Sequence, residues 1–311
     1  MKQHLHLLIL LLFALPVEAQ PTLESLLRAV DAAIEDSEQY EKDKMQRITL
    51  IKDGLKVSGL SLEEEYRINL RLYTEYEAYI CDSARHYINR NIELAVRLNN
   101  REWLNESKLK KVHILATSGL YAEGLRLLET INKQHLSDRL LVDYYMAFEN
   151  IYLYYAEYAQ DDEYMPGYLD KMNSYRDSVL MIVPEGSYQY VIVQGPMLIY
   201  HQQPKEAENL LKTYISGVSS DTREYAILTS ILAFTYQNDS QLELQKMCLA
   251  ESAIADIKAV VKENNSLRAL AELLYEEGAI ERANKYMKKS MADASFYNCL
   301  LYTSDAADDR I

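Results

Sequence analysis

An all-α fold of stacked helix pairs is what this sequence predicts, on three observations. Gly and Pro are scarce, at 9 and 6 of 311 residues, against 49% hydrophobic residues and 26 Tyr. That is the composition of long helices joined by short turns, with enough apolar side chains to bury a core. Small residues also recur at a fixed interval. Gly195, Ala233 and Ala271 lie 38 residues apart in predicted first helices; Ala207, Gln245 and Ala283 repeat the interval in second helices. Small side chains at such places let two helices approach closely, the need of a stack of hairpins; only Gln245 departs. Finally, turn signals fall between the halves of each pair.

Taken in order, "MKQHLHLLILLLFALPVEAQ" places one basic residue, Lys2, before an apolar run ending in Val17-Glu18-Ala19. Residues 1–19 read as a secretory signal cleaved before Gln20, with an uncleaved anchor as the alternative. Residues 20–60 carry Leu23, Leu26, Leu27, Val30 and Ile34 at helical spacing, then Ile48, Ile51 and Leu55, until Gly54 and Gly59 break the pattern. The repeat region, 61–298, opens with Ser61 and Glu64 as a capping box. Further on, Pro204 marks the first turn of a second helix, Ser240 and Glu243 read as another capping box, and Gly278 as a turn. "LLVDYYMAFENIYLYYAEYA" has aromatic residues around most of its circumference; Asp143, Glu149 and Glu157 exclude a membrane span, so it is expected to pack on both sides. "AQDDEYMPG" reads as a long acidic turn ending at Pro166-Gly167.

Several function classes are excluded. A net charge of −14 leaves no basic face for nucleic acid. Cys81, Cys248 and Cys299 show no CxxC spacing, and Cys81 and Cys248 are expected to be buried small hydrophobes. His86, His113, His135 and His201 are scattered, so no metal ligand set forms. No nucleophile elbow, phosphate loop or dinucleotide fingerprint occurs. The acidic runs at 63–65 and 161–163 suit a helix start and a loop. No catalytic residue, metal or cofactor is therefore assigned, and binding is the expected function.

"LATSGLYAEGLRLLETI" and "LAELLYEEGAIERANKYM" carry a small residue in the first helix, a Gly turn and a small residue in the second. Gly119, Tyr121 and Gly124 match in the first segment; Ala271, Gly278, Ile280 and Ala283 match in the second. They resemble tetratricopeptide repeats, whose usual period is about 34 residues. Ala84 in "CDSARHYINRNIELA" is the small residue of an earlier second helix. The resemblance implies a right-handed α-solenoid of about six helix pairs, preceded by one or two N-terminal helices. Residues 252–298 are similar to a segment of membrane regulators from Gram-negative gut bacteria. In that family a signal peptide leads into periplasmic repeats, a transmembrane helix and a helix-turn-helix output.

What the resemblance implies for binding is a concave groove lined by first helices, with Tyr73 and Tyr76 in the first pair and His113 in the second. Tyr200, Arg268 and Tyr275 follow in later pairs. A protein or peptide is the expected occupant, and a second copy of the chain is a further candidate partner. The expected role is the periplasmic sensory half of a transmembrane transcriptional regulator; the alternative is a free periplasmic adaptor. An uptake-system subunit would call for a lipid-anchoring Cys near the mature start, which is absent. "CLLYTSDAADD" resembles one reading frame of a sequencing adapter. Residues 299–311 are thus expected to be foreign, the natural chain continuing toward the inner membrane.

Overall fold

A computed structural model describes residues 21–159, 162–238, 240–262 and 265–297. The signal segment and the tail after Asn298 lie outside the described residues. Two helices come first, α1 (Leu23–Glu35) and α2 (Ser37–Asp53). Six pairs follow: α3 (Leu62–Tyr76) with α4 (Cys81–Arg97), α5 (Arg101–Thr117) with α6 (Tyr121–Glu129), and α7 (Asp138–Ala159) with α8 (Met165–Leu180). The second half holds α9 (Tyr188–Tyr200) with α10 (Pro204–Ile215), α11 (Arg223–Asn238) with α12 (Leu242–Ala259), and α13 (Ser266–Glu276) with α14 (Ile280–Tyr297). The expectation of an all-α stack of about six pairs after one or two N-terminal helices is met by six pairs and two helices among the described residues.

Local chemistry sets most boundaries. Ser61 caps α3 through the Glu64 N–H while the Glu64 carboxylate accepts from the Ser61 N–H, closing the capping box. Asn100 caps α5 through the Trp103 N–H, and Pro204 sits in the first turn of α10, where its missing N–H has no helical partner to lose. Four of the six first helices are followed by a residue with positive φ: Gly119 after α5, Gln202 after α9, Ser240 after α11 and Gly278 after α13. This corrects the second capping box. Ser240, at φ 54°, serves as the left-handed turn residue, so the N-cap of α12 falls on Gln241, which makes no side-chain cap. In the third pair α8 begins at Met165, so Pro166 and Gly167 belong to its first turn and not to the preceding loop.

The small residues are where close approach needs them. Ala84, Ala207, Ala233, Ala271 and Ala283 are all buried, and a Cβ on Gly195 would already lie 3.5 Å from Ile231 and Leu211. Gln245 is buried as well. The aromatic helix α7 packs on α8 on one side and on α5 and α6 on the other. Its rings stack across the pair, Phe148 on Tyr175 at 4.6 Å, and its buried Glu149 meets Arg176 of α8 at 2.8 Å. Cys81 and Cys248 are buried, and Cys81 Sγ lies 2.8 Å from the Ser118 hydroxyl. No helix among the described residues is long and apolar enough to cross a membrane.

The N-terminal helices do not simply precede the stack; they pack against its far end, α1 and α2 on α12. Tyr286 of α14 donates to the Leu27 carbonyl at 2.9 Å, and Arg282 reaches Asp31 at 3.1 Å. Lys44 of α2, buried, donates to the Ala259 carbonyl at 3.1 Å. Burial pulls its ammonium down to about 8, against the opposing pull of Glu75. Between pH 8 and the ordinary lysine range, near 10.5, the unfolded chain holds this proton and the folded chain does not. Stability attributable to Lys44 therefore rises with pH across that window, by at most about 1.4 kcal/mol per pH unit. Urea titrations from pH 7.5 to 10 should show this rise in the native protein and its absence in Lys44→Met.

Candidate functional site

Helix geometry places residues i, i+3, i+4 and i+7 on one face. On α5 these are Glu106, Leu109, Lys110 and His113; on α7 they are Asp143, Met146, Ala147 and Asn150. The two sets line opposite sides of one cavity of about 200 Å³, completed by Tyr73 of α3 and by Glu77 just after it. The second set lies 37 residues after the first, and a third, Asn69, Leu72, Tyr73 and Tyr76, lies 37 before it. The cavity thus lies between matching faces of α5 and α7; of the corresponding α3 set only Tyr73 lines it, Asn69, Leu72 and Tyr76 being buried.

The floor is apolar, Leu109, Met146 and Ala147, and the walls are polar. Tyr73 is buried and donates to the Lys110 carbonyl at 3.2 Å, while the Lys110 ammonium stands 5.2 Å over its ring. Arg139 bridges Glu106 at 3.0 Å and Asp143 at 3.8 Å, just outside the cavity. Burial pushes the Asp143 carboxyl above the usual carboxylate range, with Arg139 and Lys110 pulling it back. An apolar floor ringed by carboxylates, an amide, a phenol and an imidazole suits recognition of a partner with mixed polarity. Nothing on it pairs a nucleophile with a base.

Of the residues expected in the groove, Tyr73 and His113 meet at this cavity. Tyr76 does not. It occupies the position corresponding to His113, yet it is 2% exposed, with its ring 5.8 Å from Tyr87 of α4 and the Lys52 ammonium of α2 over that ring at 5.3 Å. By covering the first pair, α2 takes that position into the core. Tyr200 is exposed at the end of α9 against His201. Arg268 on α13 is engaged locally, with Asn265 and with Glu272 at 2.8 Å; Tyr275 is exposed at the end of that helix. These three stand on first helices, as expected, but away from the cavity. Glu106, Lys110, Asp143 and Asn150 were missed; they share a 37-residue register but no residue type, so no motif marks them.

A family model described as the SusR N-terminal TPR domain matches residues 34–305. This chain belongs to that family. The match takes in α2 and every helix pair, so the SusR-type TPR domain is the whole described stack apart from most of α1. Comparison with curated proteins gives no match. TPR domains in general bind other proteins or peptides.

Proposed function

We propose that this SusR-type TPR domain is the periplasmic receiving part of a transmembrane transcriptional regulator, non-catalytic, with a protein or peptide seated in the α3–α5–α7 cavity. The observation behind this reading is the match to the SusR N-terminal TPR domain, a type of repeat stack that binds proteins or peptides. The leader-like residues 1–19 support export, and a cavity lined by α5, α7 and the end of α3 supports an occupant crossing successive repeats. Its binding must favour one arrangement of the stack over another for a signal to leave the domain.

The test begins with alkaline phosphatase, active only outside the cytoplasm, joined after Tyr297. The intact leader should give activity, and deletion of residues 2–19 should abolish it; an inactive fusion with the leader intact overturns the periplasmic placement. Ala147→Trp, which fills the cavity, is then introduced into the natural gene and transcripts are counted. A regulator shifts a small set of transcripts. An unchanged transcript profile with normal export leaves the free adaptor as the function.

A further inference from the structure

The last pair of the stack is fastened onto the first, and the fastening touches the cavity. Tyr297, in the final turn of α14 and 1% exposed, donates to the Glu77 carbonyl at 2.7 Å. Its hydroxyl also lies 3.2 Å from Thr117 Oγ1, which is in turn 3.1 Å from the His113 carbonyl. Glu77 and His113 line the cavity. Beside this contact the segment after α12 reaches the same turn of the first pair. The Lys262 N–H donates to the Ala78 carbonyl at 2.7 Å, and its ammonium is held by Glu41 of α2 and by Asp293 of α14. Tyr79 packs on Phe296 at 5.6 Å.

The same segment is strained. Val260 sits at φ 57°, ψ 46°, a left-handed conformation that a β-branched side chain adopts only when its surroundings impose it. Those surroundings are the closure itself. Val260 is buried in a cluster with Ile48 of α2, Leu72 and Tyr73 of α3, and Tyr297. Tyr73, also a wall of the cavity, thus joins the cavity to the fastened segment directly. A strained loop, a buried ammonium and a buried tyrosine hydroxyl converge on the turn that closes one end of the groove.

We propose that residues 260–262 and the last turn of α14 form a latch that reports occupancy of the cavity. With the cavity open, Tyr297 is seated on Glu77 and Thr117. An occupant pressing on Glu77 and His113 moves these two acceptors, unseats Tyr297 and frees the end of α14 from the first pair. Coupling of this kind is reciprocal: loosening the latch must open the cavity as much as filling the cavity loosens the latch. The proposal rests on the α3–α5–α7 cavity being the receiving site, but its test needs no natural occupant.

The full chain carrying Cys299→Ser and His113→Cys is labelled with N-phenylmaleimide, so that the adduct occupies the cavity. Hydrogen–deuterium exchange of residues 289–297 should accelerate at least tenfold. The same adduct on Ser216→Cys, exposed beyond α10, should leave it unchanged. In the reverse arm, Tyr297→Phe should speed labelling of the thiol introduced at position 113 at least threefold. Unchanged α14 exchange in a labelled chain that is otherwise protected overturns the latch. Should the adduct loosen α9 to α12 as well, the labelling rate decides alone, and an unchanged rate overturns it. Failure of the transcript test with success here would remove the regulator and leave the coupling.

Discussion

Replacing Arg176 with methionine should cost the protein about 3–5 kcal/mol, the usual penalty for stranding one partner of a buried ion pair. Glu149 and Arg176 are both buried between α7 and α8. The guanidinium meets the same carboxylate oxygen from two nitrogens, each at 2.8 Å. Burial already pushes the Glu149 carboxyl upward, with Arg176 opposing it. Without Arg176 that opposition disappears, and the carboxyl must either stay charged among Phe148, Tyr175 and their neighbours or take up a proton. The sign with pH follows. Above the unfolded carboxylate range and below the raised folded value, the folded variant holds a proton that the unfolded chain lacks, so its stability falls as pH rises. The deficit of Arg176→Met should therefore be smaller at pH 5 than at pH 8 in urea unfolding. Glu149→Leu with Arg176→Met should recover most of the loss, because apolar replacement of both partners removes the desolvation problem. A double variant as unstable as the single one would mean that the pair matters for its shape and not its charge.

What could be read from the sequence was what repeats locally. Ser61, Pro204, Gly119 and Gly278 mark boundaries through a few neighbouring residues, and the 38-residue recurrence of Gly195, Ala233 and Ala271 reports a packing need that the sequence states three times. The helix face that lines the cavity on α5 and α7 also recurs on α3, every 37 residues, but its chemistry changes at each step: Asn69, Glu106 and Asp143; Tyr76, His113 and Asn150. A shared position with no shared residue type gives no motif. Tyr76 shows the other limit. As a first-helix tyrosine it has the size and polar tip of a groove residue, and only the cover supplied by α2 and Tyr87 of α4 turns it into core. Lys44 looks solvated within "YEKDKMQR", and Lys262 within "KAVVKENN". Both are buried because helices more than 200 positions away fold back over them, the Lys44–Ala259 contact spanning 215 residues. Local patterns carry no trace of such a return.

Lys262→Met tests that return directly and should cost about 2–4 kcal/mol. The substitution leaves Asp293, itself buried, with Lys289 at 2.9 Å as its remaining partner, and it releases Glu41 of α2. The value should be a little below that for Arg176 because Lys289 still answers part of the charge. The form of the transition is more telling than its midpoint. An open array of repeats has only neighbour-to-neighbour interfaces, so its two ends can unfold separately. Fastening the first pair to the last makes each end depend on the other. Trp103, the single tryptophan, stacks on Tyr66 at 4.3 Å between α3 and α5, so its fluorescence reports the first two pairs, while far-ultraviolet circular dichroism reports every helix. In the native protein the two transitions should coincide in urea. In Lys262→Met they should separate, with a shallower overall slope, as the ends lose their common cooperative unit. Coincident transitions at an unshifted midpoint would reduce the closure to passive contact, and the first and last pairs would then be joined only through the four pairs between them.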